Sequence, residues 1–359
     1  MTTIEDPTQV DPDALMAFVF RAVDEVGAAL NCALVVMGDE LGYYRSLVEH
    51  GPTTPAELAE RTGTEEHYAR EWLNAQAAGR YVGYDPETQR YWLPAEQAVA
   101  LTDETSPAYL PGLFQTAHGT IRDTPAILEA AREGTGFGWH QHNTDVHLGC
   151  ERFFRPGYLA NLVSSWLPEL DGVVDKLEQG GKVADIGCGH GASTILMAQA
   201  FPRSSFVGVD YHHESIQTAQ DRAREAGVAD RIRFETADAR RADGAGYDLV
   251  TMFDCLHDMG DPVGAARRVR EVIAEDGTWM IVEPAAGDRV EENLTPVGRA
   301  YYGFSTLLCT PASLSQEVGL ALGTQAGPAR IRDVVTAAGF RHFRLAAQTP
   351  FNNVYEVRP

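Results

Sequence analysis

An α/β domain built on a parallel sheet, preceded by a mainly helical domain, is the fold this sequence predicts, and three observations predict it. From Gly180-Gly181 onward, short β-branched apolar runs alternate with helical segments, the signature of parallel strands joined by crossover helices. Before that point apolar residues recur at three-and-four spacing, which marks amphipathic helices. A glycine-rich turn, DIGCGHG, closes the first β-like run, and the next run ends in Asp210; that pairing puts a ligand across the carboxyl ends of the strands.

The 359 residues carry 51 acidic against 29 basic side chains, a net charge of −22, with 44% hydrophobic residues. This is the composition of a soluble globular chain of two or more domains. The surplus of acid repels phosphate backbones and anionic lipid, so neither nucleic acid nor a membrane is an expected partner. The start, MTTIEDPTQVDPD, lacks the basic and apolar regions of a secretory signal, and no apolar run approaches the roughly 20 residues that span a bilayer. Five scattered cysteines without C-x-x-C spacing fit a reducing cytoplasm.

From Asp13, apolar positions Leu15, Phe18, Val19, Ala22, Val23, Val26, Ala29, Leu30 and Ala33 form a broad helical stripe, suited to packing within the domain or against a second copy of the chain. Thr54 and Glu57 around Pro55 form a capping box, and Gly63 ends that short helix. A second helix puts Tyr68, Ala69, Trp72, Leu73 and Ala77 on one face and stops at Gly79. Two β-like stretches, from Arg80 to Tyr84 and from Arg90 to Leu93, flank the turn Asp85-Pro86-Glu87-Thr88. Helix, turn, helix, hairpin is a winged-helix pattern. Between Thr53 and Trp92 seven acids face four arginines, the wrong balance for holding DNA, so residues 1–105 are expected to be a helical winged-helix domain serving dimerisation. Residues 106–180 read as a helical connector, broken by Pro111, Gly112, Gly119 and the stretch GTGFGWHQHNTDVHLG, that contributes to a substrate pocket.

Residues 181–359 form the α/β domain. Its turn is G-x-G-x-G with Asp185 two residues before the first glycine, unlike the dinucleotide fingerprint, whose pyrophosphate an acid would repel. Facing an α-ammonium, the same acid makes a charge-assisted hydrogen bond, and Asp210 is placed to accept both hydroxyls of a ribose. The ligand suggested is a nucleoside carrying an amino acid.

These motifs, DIGCGHG, the strand-ending Asp210, ETADARR and YDLVTMFDCLHD, resemble in order and spacing those of class I S-adenosylmethionine-dependent methyltransferases, and over almost the whole chain the sequence is similar to bacterial small-molecule methyltransferases with an N-terminal winged helix. The resemblance implies a Rossmann-like seven-stranded sheet, S-adenosylmethionine as cofactor, and cofactor contacts from Asp185, Gly187, Gly189, Asp210, Asp238, Ala239 and Asp254. HFRLAAQTP and NNVYEVRP would supply the closing antiparallel hairpin. The segment Cys255-Leu256-His257-Asp258-Met259 resembles the His-Asp-Trp segment of plant-type O-methyltransferases, with Met259 in place of the tryptophan. That likeness implies His257 as general base, with Asp258 or Glu283 orienting it, and histidine suits the task because its ordinary pKa lies near neutrality.

The expected acceptor is a small, fairly apolar hydroxylated molecule, contacted by Trp139, His142 and Tyr302. Tyr301, Tyr302, Phe304, Leu307 and Leu308 lie in a stretch of about 35 residues, long for a connection and therefore suited to a lid or substrate wall. No metal cofactor is expected. The alternatives are a C- or N-methyltransferase, assisted by a metal at His140, His142 or His147, and a winged-helix regulator that senses the nucleoside. A homodimer is the expected assembly.

Overall fold

The computed structural model describes residues 10–359, and the acidic start falls outside the described residues except for its last four. The chain forms two compact units. One runs to Glu104 and includes Ala108–His118; the other comprises Thr105–Pro107 and Gly119–Pro359.

The first unit opens with α1 (Pro12–Glu40), started by Asp11, whose carboxylate accepts from the N–H groups of Asp13 and Ala14. Then come α2 (Tyr43–His50), α3 (Pro55–Thr62), α4 (Glu66–Ala78), β1 (Gly83–Asp85), β2 (Arg90–Trp92) and α5 (Ala95–Thr102). The capping box is formed: Thr54 Oγ1 accepts from Glu57 N–H, and Glu57 Oε2 accepts from Thr54 N–H at 2.9 Å. Glu57 also holds Arg90 at 2.7 and 2.9 Å, tying α3 to the wing. Trp72 anchors the core between the edges of Tyr43 and Tyr44, at 4.9 and 5.0 Å. Gly38 is required there, since a Cβ would lie 2.3 Å from the indole. Tyr68 departs from the expected stripe: α4 buries Ala69, Trp72, Leu73 and Gln76, and Tyr68 is exposed. The stripe on α1 is also uncovered, with Phe18, Phe20, Val23, Val26 and Leu30 all more than half exposed.

Helix α6 (Pro111–Arg122) leads into the second unit, followed by α7 (Thr124–Glu133), α8 (Thr144–Asn161) and α9 (Val173–Gln179). It runs straight through Gly119, which the sequence reading took for a break. The glycine is needed because a Cβ there would meet Val146 Cγ2 at 2.9 Å. The sheet then builds through β3 (Lys182–Ile186), α10 (Ala192–Ala200), β4 (Ser205–Asp210), α11 (His213–Glu225), β5 (Ile232–Thr236), β6 (Tyr247–Phe253), α12 (Pro262–Val272) and β7 (Ile273–Pro284). After α13 (Pro296–Phe304), α14 (Thr310–Leu314) and α15 (Gly327–Ala337), it ends in β8 (His342–Gln348) and β9 (Asn352–Arg358).

Strand order is β5-β4-β3-β6-β7-β9-β8, all parallel except β9, which runs antiparallel between β7 and β8. This is the seven-stranded sheet with the closing hairpin expected from the sequence. Period-two alternation feeds two cores: Trp279 and Ile281 of β7 pack with α12 and α15, while Met280 and Val282 pack with α8, α9 and α10. Chain order reverses about β3, where a crevice opens beyond the carboxyl ends of β3, β4 and β6.

Candidate active site

The glycine turn after β3 adopts left-handed backbone at Gly187, Gly189 and Gly191, with φ of 76°, 50° and 77°. At Gly187 the space is closed, because a Cβ would lie 2.6 Å from Cys255 Sγ; at Gly189 a Cβ would meet nothing within 4 Å. Gly189 is therefore the point where the turn faces open space. Its N–H donates to Asp210 Oδ2 at 2.9 Å, and His212 N–H donates to Oδ1 at 2.8 Å. Each carboxylate oxygen keeps a second lone pair, enough for a vicinal diol. Burial pushes the Asp210 carboxyl up, opposed by those N–H groups.

Asp185 is held by three hydroxyls from neighbouring elements. Ser193 and Thr194 hydroxyls each donate to Oδ2 at 2.6 Å, Thr251 donates to Oδ1 at 2.8 Å, and the residue has no exposed surface. The carboxylate braces β3 against α10 and β6. Asp238 caps the turn Ala239–Arg241 and is gripped by Arg240, whose backbone N–H, Nε and Nη2 all donate to it. Arg240 holds that carboxyl below the usual range and reaches Glu317 at 2.9 Å. Ala239 packs at the edge of the core beside it.

Beyond β6 the chain turns through Asp254, a non-glycine residue with φ of 49°, a conformation tolerated by aspartate when its side chain is held. Asn352 donates to Asp254 Oδ1 at 2.9 Å and Tyr158 to Oδ2 at 3.3 Å. Burial, reinforced by Glu283, lifts the Asp254 carboxyl well above the usual range. The turn Leu256–Asp258 follows, with His257 buried.

Imidazole Nδ1 of His257 meets Glu283 Oε2 in a short contact, and Glu283 Oε1 accepts from Leu256 N–H at 3.0 Å. Nε2 lies 3.1 Å from Asp258 Oδ1. Burial alone would depress the imidazole, but the carboxylates of Asp258 and Glu283 outweigh it and hold His257 well above the ordinary histidine range. Cys309 Sγ belongs to the same cluster, within 4.8 Å of both other groups. Asp258, His257, Glu283 and Cys309 thus meet from three separate stretches of chain.

The wall beside this cluster contains Val146, Leu308 and Cys309, with Trp139, Cys150 and Phe304 against them. Of the residues expected to touch an acceptor, Trp139 lies in that wall. His142 is buried, its Nδ1 2.7 Å from Asp123 Oδ2, and Tyr302 accepts a long hydrogen bond from Asn293. The histidines considered for a metal do not converge: His142 turns to Asp123, His147 stacks on His212 at 4.9 Å, and His140 lies edge-on to Tyr211. Burial and His212 push His147 down to about 4. The long connection is helical, and its π turn Ser305–Cys309 delivers Cys309. Ser313 Oγ donates to Met259 O, and Gln316 side-chain contacts clamp Gly260 N–H and Asp258 O. Sequence reasoning missed Tyr158, Asn352 and Cys309, which enter from remote segments without any local motif.

Comparison with known proteins agrees with this architecture. Residues 177–319 match the family described as Methyltransferase domain, and residues 28–103 match the Rv2258c-like winged HTH domain. Over 143 residues the chain is 33% identical to 27-O-demethylrifamycin SV methyltransferase of Amycolatopsis mediterranei, covering 39% of this chain and 44% of that one. The chain spans about half the length of the curated relatives it matches. Two solved structures share the fold across 97–98% of this chain: Mitomycin 7-O-methyltransferase MmcR, 20% identical with a TM-score of 0.69 and covered over 100% of its length, and human N-acetylserotonin methyltransferase in complex with SAM, 17% identical with a TM-score of 0.70 and covered over 99%. Residues 28–103 thus match a winged helix-turn-helix domain and residues 177–319 a methyltransferase domain, on a fold shared with solved methyltransferases.

Proposed function

We propose that this protein is an S-adenosylmethionine-dependent O-methyltransferase of a small, fairly apolar hydroxylated molecule, with His257 as general base. The observation that carries the reading is the buried imidazole with one nitrogen taken by Glu283 and the other turned toward Asp258 and the apolar wall.

The site fits the cofactor. The open space over Gly189 and the spare acceptor capacity of Asp210 suit a ribose, and Asp238 with Ala239 stands where an adenine would lie. Asp185 shapes the turn from behind, and Asp254 lines the floor. When bound, S-adenosylmethionine supplies an electrophilic methyl group on a sulfonium. The chain's own work is to align the acceptor, exclude water and take a proton. Glu283 fixes the imidazole by Nδ1, and the acceptor hydroxyl would reach Nε2 by displacing its 3.1 Å contact with Asp258 Oδ1. Once the proton arrives, the imidazolium sits between Asp258 and Glu283, whose charges stabilise it. Trp139, Phe304 and Leu308 would hold an apolar acceptor, with His142 and Tyr302 behind them.

The test is methyl transfer from labelled S-adenosylmethionine to pooled metabolites. His257→Ala is expected to bind cofactor normally and lose turnover by about 10²–10⁴-fold; full turnover in that variant would refute the base. We further propose a cytoplasmic homodimer with no nucleic-acid partner. All five cysteines are free, α4 carries Glu66 and Glu71, and a second copy is the occupant proposed for the apolar face of α1. A 29-residue helix exposing this much apolar surface is not stable alone in water.

A further inference from the structure

We infer that His257, Asp258 and Cys309 form a binding site for one transition-metal ion of the zinc class. One imidazole nitrogen, a carboxylate oxygen and a thiol sulfur all lie within 4.8 Å of one another, and His257 Nε2 and Asp258 Oδ1 are 3.1 Å apart. Tetrahedral zinc, with bonds of about 2.0–2.3 Å, places its ligand atoms about 3.3–3.8 Å apart. Small side-chain shifts bring the three donors to that spacing. A nitrogen, an oxygen and a sulfur together select a borderline ion over magnesium or calcium, which take oxygen ligands.

The surroundings are those of a metal site. Glu283 holds His257 by Nδ1 and points Nε2 at the ion, the carboxylate–histidine–metal arrangement that orients many such ligands. Asp258 Oδ1 is sealed from solvent and lies 3.1 Å from imidazole Nε2. Thr324 Oγ1 donates to Cys309 Sγ at 3.1 Å, a contact that also stabilises a thiolate. The Cys309 and any Nε2 proton leave to solvent as the ion binds. Three protein ligands leave a fourth position open toward the apolar wall.

Binding the ion does not depend on the proposed chemistry. Its consequence rests on that reading, because an ion on Nε2 occupies the lone pair the base needs. Zinc is therefore an inhibitor of methyl transfer, and its removal restores activity.

The experiment uses the full chain, stripped with a chelator and titrated with cobalt(II), then zinc. The expected result is one cobalt per chain with a thiolate-to-cobalt charge-transfer band in the near ultraviolet, displaced by zinc. Cys309→Ala is expected to lose the band, and Glu283→Gln to weaken zinc about 10–100-fold. Because Cys309 is buried, Asp258→Asn is the second variant, with circular dichroism confirming the fold; zinc binding at least about tenfold weaker is expected there too. No charge-transfer band, or one that survives Cys309→Ala, overturns the inference. Turnover of stripped His257→Ala is a separate readout: activity there sinks the base while leaving the metal site standing, and a missing band does the reverse.

Discussion

Replacing Gly189 by alanine separates the cofactor space from the stability of the turn. At φ of 50° an L-residue is strained, by about 1–2 kcal/mol for left-handed backbone. The new Cβ touches no protein atom within 4 Å, so no steric cost adds to the strain. Gly227 is the matched control, since it lies in the same unit, has φ of 69° and is equally open. Both Gly189→Ala and Gly227→Ala should lower the melting temperature of the free protein by roughly 2–8 °C, taking about 2–4 °C per kcal/mol for a unit of this size. Only Gly189→Ala should weaken S-adenosylmethionine, by at least about tenfold, or 1.4 kcal/mol, because the methyl enters ligand space. Calorimetric titration of both variants, paired with thermal unfolding without ligand, reads the two effects apart. Wild-type affinity in Gly189→Ala would refute the placement of the cofactor over this turn, whatever the melting temperatures show.

Asp210→Ala should bind S-adenosylmethionine roughly 10–100-fold more weakly, since hydrogen bonds to a charged group are worth about 1.5–3 kcal/mol; unchanged affinity by calorimetry would exclude the ribose role. Arg90 and the Thr54 N–H hold the Glu57 carboxyl at about 2 against an ordinary 4.5. A depressed folded pKa contributes stability above the unfolded value that is lost as pH falls, so the first unit should weaken between about pH 4.5 and 2. The pair is partly exposed, which limits its contribution to on the order of 1 kcal/mol; an Arg90→Ala variant with an unshifted acid-unfolding midpoint would exclude it. Phe20→Glu with Val23→Glu should convert the proposed dimer to monomer in light scattering, and a persistent dimer would move the interface off α1.

What the sequence made legible were features whose signal is local. The Thr54–Glu57 cap, the wing and the glycine turn each need only a few adjacent residues; the cap and the turn stand where expected, and the wing forms with its first strand later than expected, at Gly83–Asp85 rather than from Arg80. The crossover rhythm of strands and helices likewise foretold the sheet. Roles that depend on distant chain were not legible. That Ser193, Thr194 and Thr251 all donate to Asp185 could not be read from the motif, because Thr251 comes from another strand. Gly119 reads as a helix break, yet it serves a close approach by Val146. Cys309 reaches His257 only because a π turn in a long connection delivers it, and nothing in its neighbours announces that. Asn352, nearly a hundred residues beyond Asp254, braces that strained aspartate from the neighbouring hairpin.

The position of β9 has a kinetic consequence. Although β8 comes first along the chain, it reaches the sheet only through β9, so it cannot join until β9 is in place against β7. Until then, β7 presents an open apolar edge of the kind that recruits other chains during folding. The surface that would receive the adenosine belongs to β3 and β4 and needs no part of this hairpin, whereas Asp254 acquires its brace from Asn352 only when β9 arrives. Assembly of this unit is therefore staged, with a nucleoside-binding half that can form early and a reactive half completed by the last pairing.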